Sequence, residues 1–90
     1  MAITTARMLS QVIREFRYQQ ELSQTDVAKL AATKQATVSV FENNPESTKL
    51  DTLFKILTAL ELEVVVQPRH KKTSTVQEPV LSSYQDDEEW

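Results

Sequence analysis

Residues 23–44, SQTDVAKLAATKQATVSVFENN, decide the fold. Ser23 can cap a helix, and Val27, Ala28, Leu30 and Ala31 then fall at helical spacing as an inward set. Thr33 and Lys34 interrupt the pattern as a turn. A second short helix, about Gln35 to Glu42, resumes it with Val38 and Phe41 facing inward. Asn43-Asn44-Pro45 closes that helix, because asparagine tolerates a left-handed cap and proline cannot continue a helix. Two short helices on either side of a tight turn are what a helix-turn-helix needs. The second of them, opening on small polar side chains, would then lie in a DNA major groove.

Upstream, Thr4 or Thr5 can cap a first helix on which Ala6, Leu9, Val12, Ile13 and Phe16 form an apolar face. Arg7, Arg14, Glu15 and Arg17 lie off that face. Arg17 and Glu42 are placed to form an ion pair between the first and third helices. Downstream, a polar loop leads to a fourth helix over about Leu50 to Leu60, with Leu53, Phe54, Ile56, Leu57 and Leu60 apolar. The period then changes to two. Leu62, Val64 and Val66 share one face, while Glu63, Val65 and Gln67 share the other, which reads as a strand. The sequence offers no second strand to pair with it. The economical partner is the same strand of another copy, closing a two-fold dimer; the alternative is an unpaired extension.

Pro68 ends the strand, dividing the chain into a domain over 1–67 and a flexible acidic tail over 68–90. The chain has 90 residues and a net charge of −3, but the charge is unevenly spread. All ten Lys and Arg lie between Arg7 and Lys72, alongside Glu15, Glu21, Asp26, Glu42, Glu46, Asp51, Glu61 and Glu63, for a net +2. The remaining segment holds Glu78, Asp86, Asp87, Glu88 and Glu89 and no base, for a net −5. Phosphate contact depends on local charge, so the overall acidity argues only weakly against DNA. The terminal Trp90 is either a solvated end or an aromatic anchor for a partner, tryptophan being enriched among binding hot spots.

Other classes find little support. There is no cysteine, and the single histidine, His70, sits among Arg69, Lys71 and Lys72 as a solvated residue. No nucleophile–base pair, metal-ligand cluster or glycine-rich phosphate loop is present, so the expectation is no enzyme, no cofactor and no metal. No apolar run approaches the ~20 residues of a membrane span, and no signal-peptide pattern opens the chain. The expected protein is soluble and cytoplasmic.

Within the motif, base edges would meet Lys34, Gln35, Ala36 and Thr37 at the start of the third helix, with Ser39 behind them. Lys34 can donate to guanine O6 and N7. Gln35 can bridge adenine N6 and N7, and Ala36 can offer a methyl to thymine. Ser23, Gln24 and Thr25 open the second helix, where free N–H groups and the helix dipole favour a phosphate. Asn43 and Asn44 sit where the chain would pass the sugar-phosphate backbone.

Gln24-x3-Ala28 and Phe41-Glu42-Asn43 resemble the helix-turn-helix of the Cro/C1 (Xre-type) repressors. The strings from Lys34 to Ser39, Phe41 to Pro45, Phe54 to Leu57 and Leu60 to Leu62, with the terminal Glu89-Trp90, resemble the HipB antitoxins more closely. The resemblance implies a mainly α, lambda-repressor-like domain of four to five helices, with one C-terminal strand paired across a homodimer. It also implies autorepression at a palindromic operator and binding of a HipA-type serine/threonine kinase toxin. The acidic tail and Trp90 would hold the toxin or expose the chain to proteases. The alternatives are a stand-alone Xre-type repressor and a protein-interaction module that no longer touches DNA. One departure stands out. Xre-type proteins often place glycine after the first helix, in the turn and after the third helix, where this glycine-free chain has Glu21, Ala32 and Asn44. Either these positions avoid left-handed geometry or the fold tolerates the strain.

Overall fold

The computed structural model describes residues 2–69. Thr5 caps α1 (Ala6–Gln19), its Oγ1 accepting the Met8 N–H at 3.0 Å. Ser23 caps α2 (Gln24–Leu30) through a reciprocal box. Its hydroxyl accepts the Asp26 N–H at 3.0 Å, and Asp26 Oδ2 accepts the Ser23 N–H at 2.9 Å. α3 (Gln35–Asn43) and α4 (Leu50–Ala59) follow, separated by a 3-10 turn over Pro45–Ser47. Ile13 from α1, Val27 and Ala28 from α2, Val38 and Phe41 from α3, and Ile56, Leu57 and Leu60 from α4 and its end form one buried cluster.

Leu30 does not join it. Val27, Ala28 and Ala31 are buried, whereas Leu30 is 61% exposed. At about 100° per residue, Val27, Ala31 and Ala28 span one narrow arc and Leu30 falls outside it. A seven-residue helix has one such arc to bury. Phe16 and Phe54 are also partly in solvent, at 38% and 48%.

Three helix ends share one geometry. After α1, Leu22 N–H bonds to Arg17 O at 3.1 Å; after α2, Thr33 N–H bonds to Ala28 O at 2.9 Å; after α4, Leu62 N–H bonds to Leu57 O at 2.8 Å. Each closes a Schellman motif, which requires a left-handed residue just before the closing N–H. Those residues are Glu21 (φ 58°), Ala32 (φ 57°) and Glu61 (φ 60°). The chain therefore adopts the strained geometry without glycine, and does so at Glu61 as well, which sequence reading did not single out. Leu22 and Leu62 pack against the core immediately after the strained residues, which ties the caps to tertiary burial. Asn44 is different. Its φ is −142° and ψ 66°, so α3 does not end in a left-handed asparagine. Pro45 disfavours helical geometry in the residue before it, which pushes Asn44 towards extended backbone.

Among the described residues there is no β-strand. Leu62 is half-buried, and Val64 and Val66 are 46% and 91% exposed. Ala2–Thr4 and Val64–Arg69 line one cleft, but no backbone hydrogen bond joins them. A strand needs a second backbone, and a single copy does not supply one. Residues 70–90, including Trp90, lie outside the described residues.

Candidate nucleic-acid interface

Lys34 is the N-cap of α3, with extended backbone at φ −95° and ψ 152° and no side-chain cap bond. A lysine has no acceptor to offer the first N–H groups, so its side chain takes no part in the cap. Lys34, Gln35 and Ala36 are exposed, and Thr37 and Ser39 are half-buried. Thr25 is exposed on the first turn of α2, and the Ser23 hydroxyl is engaged in its own cap. Lys34 and Lys49 make no ion pair among the described residues.

The two glutamines that open α2 and α3 meet. Gln35 Nε2 donates to Gln24 Oε1 at 2.6 Å, and Gln24 Nε2 donates to Glu42 Oε1 at 2.9 Å. Glu42 is buried and takes a forked contact from Arg17, with Nε on Oε2 at 2.6 Å and Nη2 on Oε1 at 3.0 Å. Arg17 Nη1 also donates to Leu22 O at 2.9 Å, and Arg14 Nε lies 3.4 Å from Glu42 Oε1. The expected Arg17–Glu42 pair is therefore the root of a network reaching the protein surface at Gln35. Burial is the largest single influence on the Glu42 carboxyl and opposes its charge. The hydrogen bonds from Arg17 and Gln24 and the nearby Arg17 and Arg14 charges together outweigh it, holding Glu42 below the ordinary glutamate value of 4.5. The hydrogen bond to Glu42 likewise raises Arg17 against the cost of burial.

Asn43 is less free than its sequence position implies. Its Nδ2 donates to Ser39 O at 3.0 Å and to Ser39 Oγ at 3.2 Å, while its Oδ1 accepts from Arg14 Nη2 at 3.4 Å. Ser39 accepts in this contact and keeps its own hydroxyl proton available. A further feature lay hidden in the sequence. A groove of about 350 Å³ between α3 and the start of α4 is lined by Ala36, Thr37, Val40, Thr48, Lys49 and Thr52. The Thr48 hydroxyl is buried there with no partner among the described residues. In the sequence these positions read only as a polar loop and the start of the fourth helix.

Two short helices around a tight turn, the second presenting Lys34, Gln35 and Ala36, define a helix-turn-helix domain, and the helix-turn-helix family model matches residues 13–66. Antitoxin HipB of Escherichia coli (strain K12) is 42% identical over 64 residues, covering 71% of this chain and 73% of the relative. Antitoxin HipB of Escherichia coli O6:H1 (strain CFT073) is also 42% identical over 64 residues, covering 71% and 68%. The solved HipA-HipB-O2-O3 complex contains a chain that superposes with a TM-score of 0.75 at 39% identity, covering 77% of this chain and 97% of that one. The chain belongs to the HipB antitoxin family of helix-turn-helix proteins.

Among the described residues no helix is long and apolar enough to cross a membrane, and no group of three or more His, Cys, Asp or Glu could hold a metal ion.

Proposed function

We propose that this protein is a dimeric, sequence-specific DNA-binding antitoxin that represses its own operon and neutralises a HipA-type serine/threonine kinase. The observation that carries the DNA half is the start of α3, where Lys34, Gln35 and Ala36 stand exposed and Gln35 is held by Gln24. Lys34 and Gln35 meet base edges, and Ala36 lies towards a thymine methyl. Thr37 and Ser39 follow on the same helix. Ser23, Gln24 and Thr25 approach a phosphate, and Asn43 passes the backbone. The groove beside Lys49 leaves room for the next sugar-phosphate.

Residues 1–67 form the DNA-binding and dimerisation domain in this reading, and 68–90 the tail. A groove of about 480 Å³ between α1, α4 and residues 62–65, lined by Ile3, Phe16, Leu50, Phe54, Val64 and Val65, supports a second copy as its cover. Strand pairing through Leu62, Val64 and Val66 would extend that cover. Two recognition helices related by a two-fold then meet successive major grooves about 34 Å apart, which calls for a palindromic operator.

The kinase half rests on relatives named as antitoxins and on a related chain solved in a complex with HipA. Trp90 is the proposed anchor on that partner. The test is calorimetry of the full chain against the kinase encoded beside it, repeated without residues 73–90. Binding by the full chain supports the antitoxin reading, and loss on truncation assigns the tail its role. No binding by either form leaves a stand-alone repressor.

A further inference from the structure

Two of the four helices begin on a residue that cannot cap them. Thr5 and Ser23 cap α1 and α2 with a hydroxyl, but α3 and α4 start on Lys34 and Lys49, neither of which makes a side-chain cap bond. A lysine offers no acceptor to the free N–H groups and adds positive charge at the positive end of the helix dipole. The two starts border one groove, of about 350 Å³, where Lys49 stands beside Ala36 and Thr37 from the first turn of α3. No carboxylate lines that groove, and the Thr48 hydroxyl is buried there with no partner among the described residues. Arg7 lies against Glu46, Arg14 and Arg17 against Glu42, and Lys55 against Asp51, whereas Lys34 and Lys49 have no carboxylate beside them among the described residues.

We infer that, without DNA, the acidic segment Asp86-Asp87-Glu88-Glu89 of this chain docks on the groove between Lys34 and Lys49 and competes with the operator for it. Charge complementarity selects the occupant. From Thr73 onward the chain carries five acids and no base. Carboxylates are the side chains that free helix N–H groups and ammonium groups favour, and the segment offers four in succession to two lysines and two uncapped helix starts. Chain length allows the contact. Asp86 lies 17 residues beyond Arg69, the last described residue. A coil of that length spans about 25 Å and at full extension about 55–60 Å, enough to cross a domain of 44 × 31 × 21 Å. Tethering holds the carboxylates at about millimolar concentration around the domain, so a contact too weak to join separate molecules is populated within one. The docked segment and a DNA phosphate would use the same ammonium groups and the same N–H groups, so one excludes the other.

The competition rests on the DNA-binding reading above, while the docking is measured without DNA. Amide ¹H–¹⁵N shifts of the full-length native protein are compared with those of a full-length variant carrying Asp86→Asn, Asp87→Asn, Glu88→Gln and Glu89→Gln, which leaves the helical domain untouched. The largest differences are expected at the amides of Lys34 to Thr37 and Thr48 to Thr52, fading as salt is raised from about 0.05 to 0.5 M. In a Lys49→Gln background the same neutralisation is expected to move these amides less. The second readout is affinity at one fixed salt concentration. The neutralised variant is expected to bind a selected operator and a scrambled duplex about three- to tenfold more tightly than native protein, the gain from removing a weak competitor at millimolar effective concentration. Tighter binding with no shift difference in the free proteins would overturn the inference, since a tail that merely repels DNA leaves the groove unchanged. Differences confined to the apolar groove at Phe16 and Phe54 would overturn it by placing the segment elsewhere. Differences at the lysine groove with equal DNA affinity would overturn the competition. Failure of both proteins to bind any duplex, with the shift differences present, would instead overturn the DNA-binding reading and leave the docking in place.

Discussion

Glu42 ties three helices together through one buried carboxylate. Its carboxylate joins α1 to α3 through Arg17 and reaches α2 through Gln24. Removing it would leave the buried Arg17 with Leu22 O as its one hydrogen-bond acceptor, beside the Tyr18 ring. Glu42→Ala is expected to cost about 3 kcal/mol in denaturant unfolding, as for a buried pair deprived of one member. A loss below about 1 kcal/mol, the range of exposed pairs, would show that solvent already screens the site. The acid side follows from the sign of the shift. Glu42 is held below 4.5 in the folded state, so its contribution is fully present above that value and fades as pH falls through the lowered one. Glu42→Gln is expected to flatten the fall of stability with pH below about 4.5, measured by unfolding at fixed ionic strength. Asn43 is spent on Ser39 and Arg14, so Asn43→Ala is expected to weaken DNA binding modestly and equally across sequences. A change in base preference would give it a direct base contact.

At the scale of elements, the helices were legible, while of their left-handed ends Glu21 and Ala32 were marked only by the family resemblance and Glu61 not at all. Thr5 and Ser23 announce their helices because a hydroxyl before an apolar period has one common use. The C-terminal caps hide because their usual signal is glycine, and Glu21, Ala32 and Glu61 occupy those positions instead. Left-handed geometry costs a non-glycine residue about 1–2 kcal/mol, and glycine returns roughly 0.5–1 kcal/mol of that through unfolded-chain entropy. Glu21→Gly, Ala32→Gly and Glu61→Gly are each expected to raise stability by about 0.5–1 kcal/mol in denaturant titration. Asn44→Gly is expected to give no such gain, since Asn44 is not left-handed. Destabilisation by the first three would mean that their side chains contribute more than the strain removes. Leu30 misled for a related reason: spacing counts apolar residues, while burial depends on the arc a short helix turns inward. The candidate site was legible as residue types at the start of α3, where Lys34, Gln35 and Ala36 stand exposed. The Gln24–Gln35–Glu42 network was not, because it joins residues 11 and 18 positions apart through packing that no local pattern records.

For the whole molecule, the apolar groove beside α1 and α4 and the exposed Val64, Val65 and Val66 describe a surface that one copy leaves uncovered. Such a surface marks an interaction site. Val64→Pro removes a backbone donor from the proposed strand pair and is expected to shift the protein towards monomer at micromolar concentration in sedimentation equilibrium. A variant that remains fully dimeric would place the dimer contact on the helices, at Phe16, Leu50 and Phe54, instead. The central claim is that the exposed start of α3 reads base sequence. It is tested most directly by titrating native protein and the Lys34→Ala and Gln35→Ala variants, at one fixed salt concentration, against a selected operator, its single-base variants and a scrambled duplex. Native protein is expected to favour the operator over the scrambled duplex by at least about a thousandfold. Each variant is expected to lose about 1–3 kcal/mol on the operator, relax preference at one base pair per half-site and bind the scrambled duplex almost unchanged. Equal native affinity for operator and scrambled duplex, or a uniform loss across all duplexes in both variants, would contradict it.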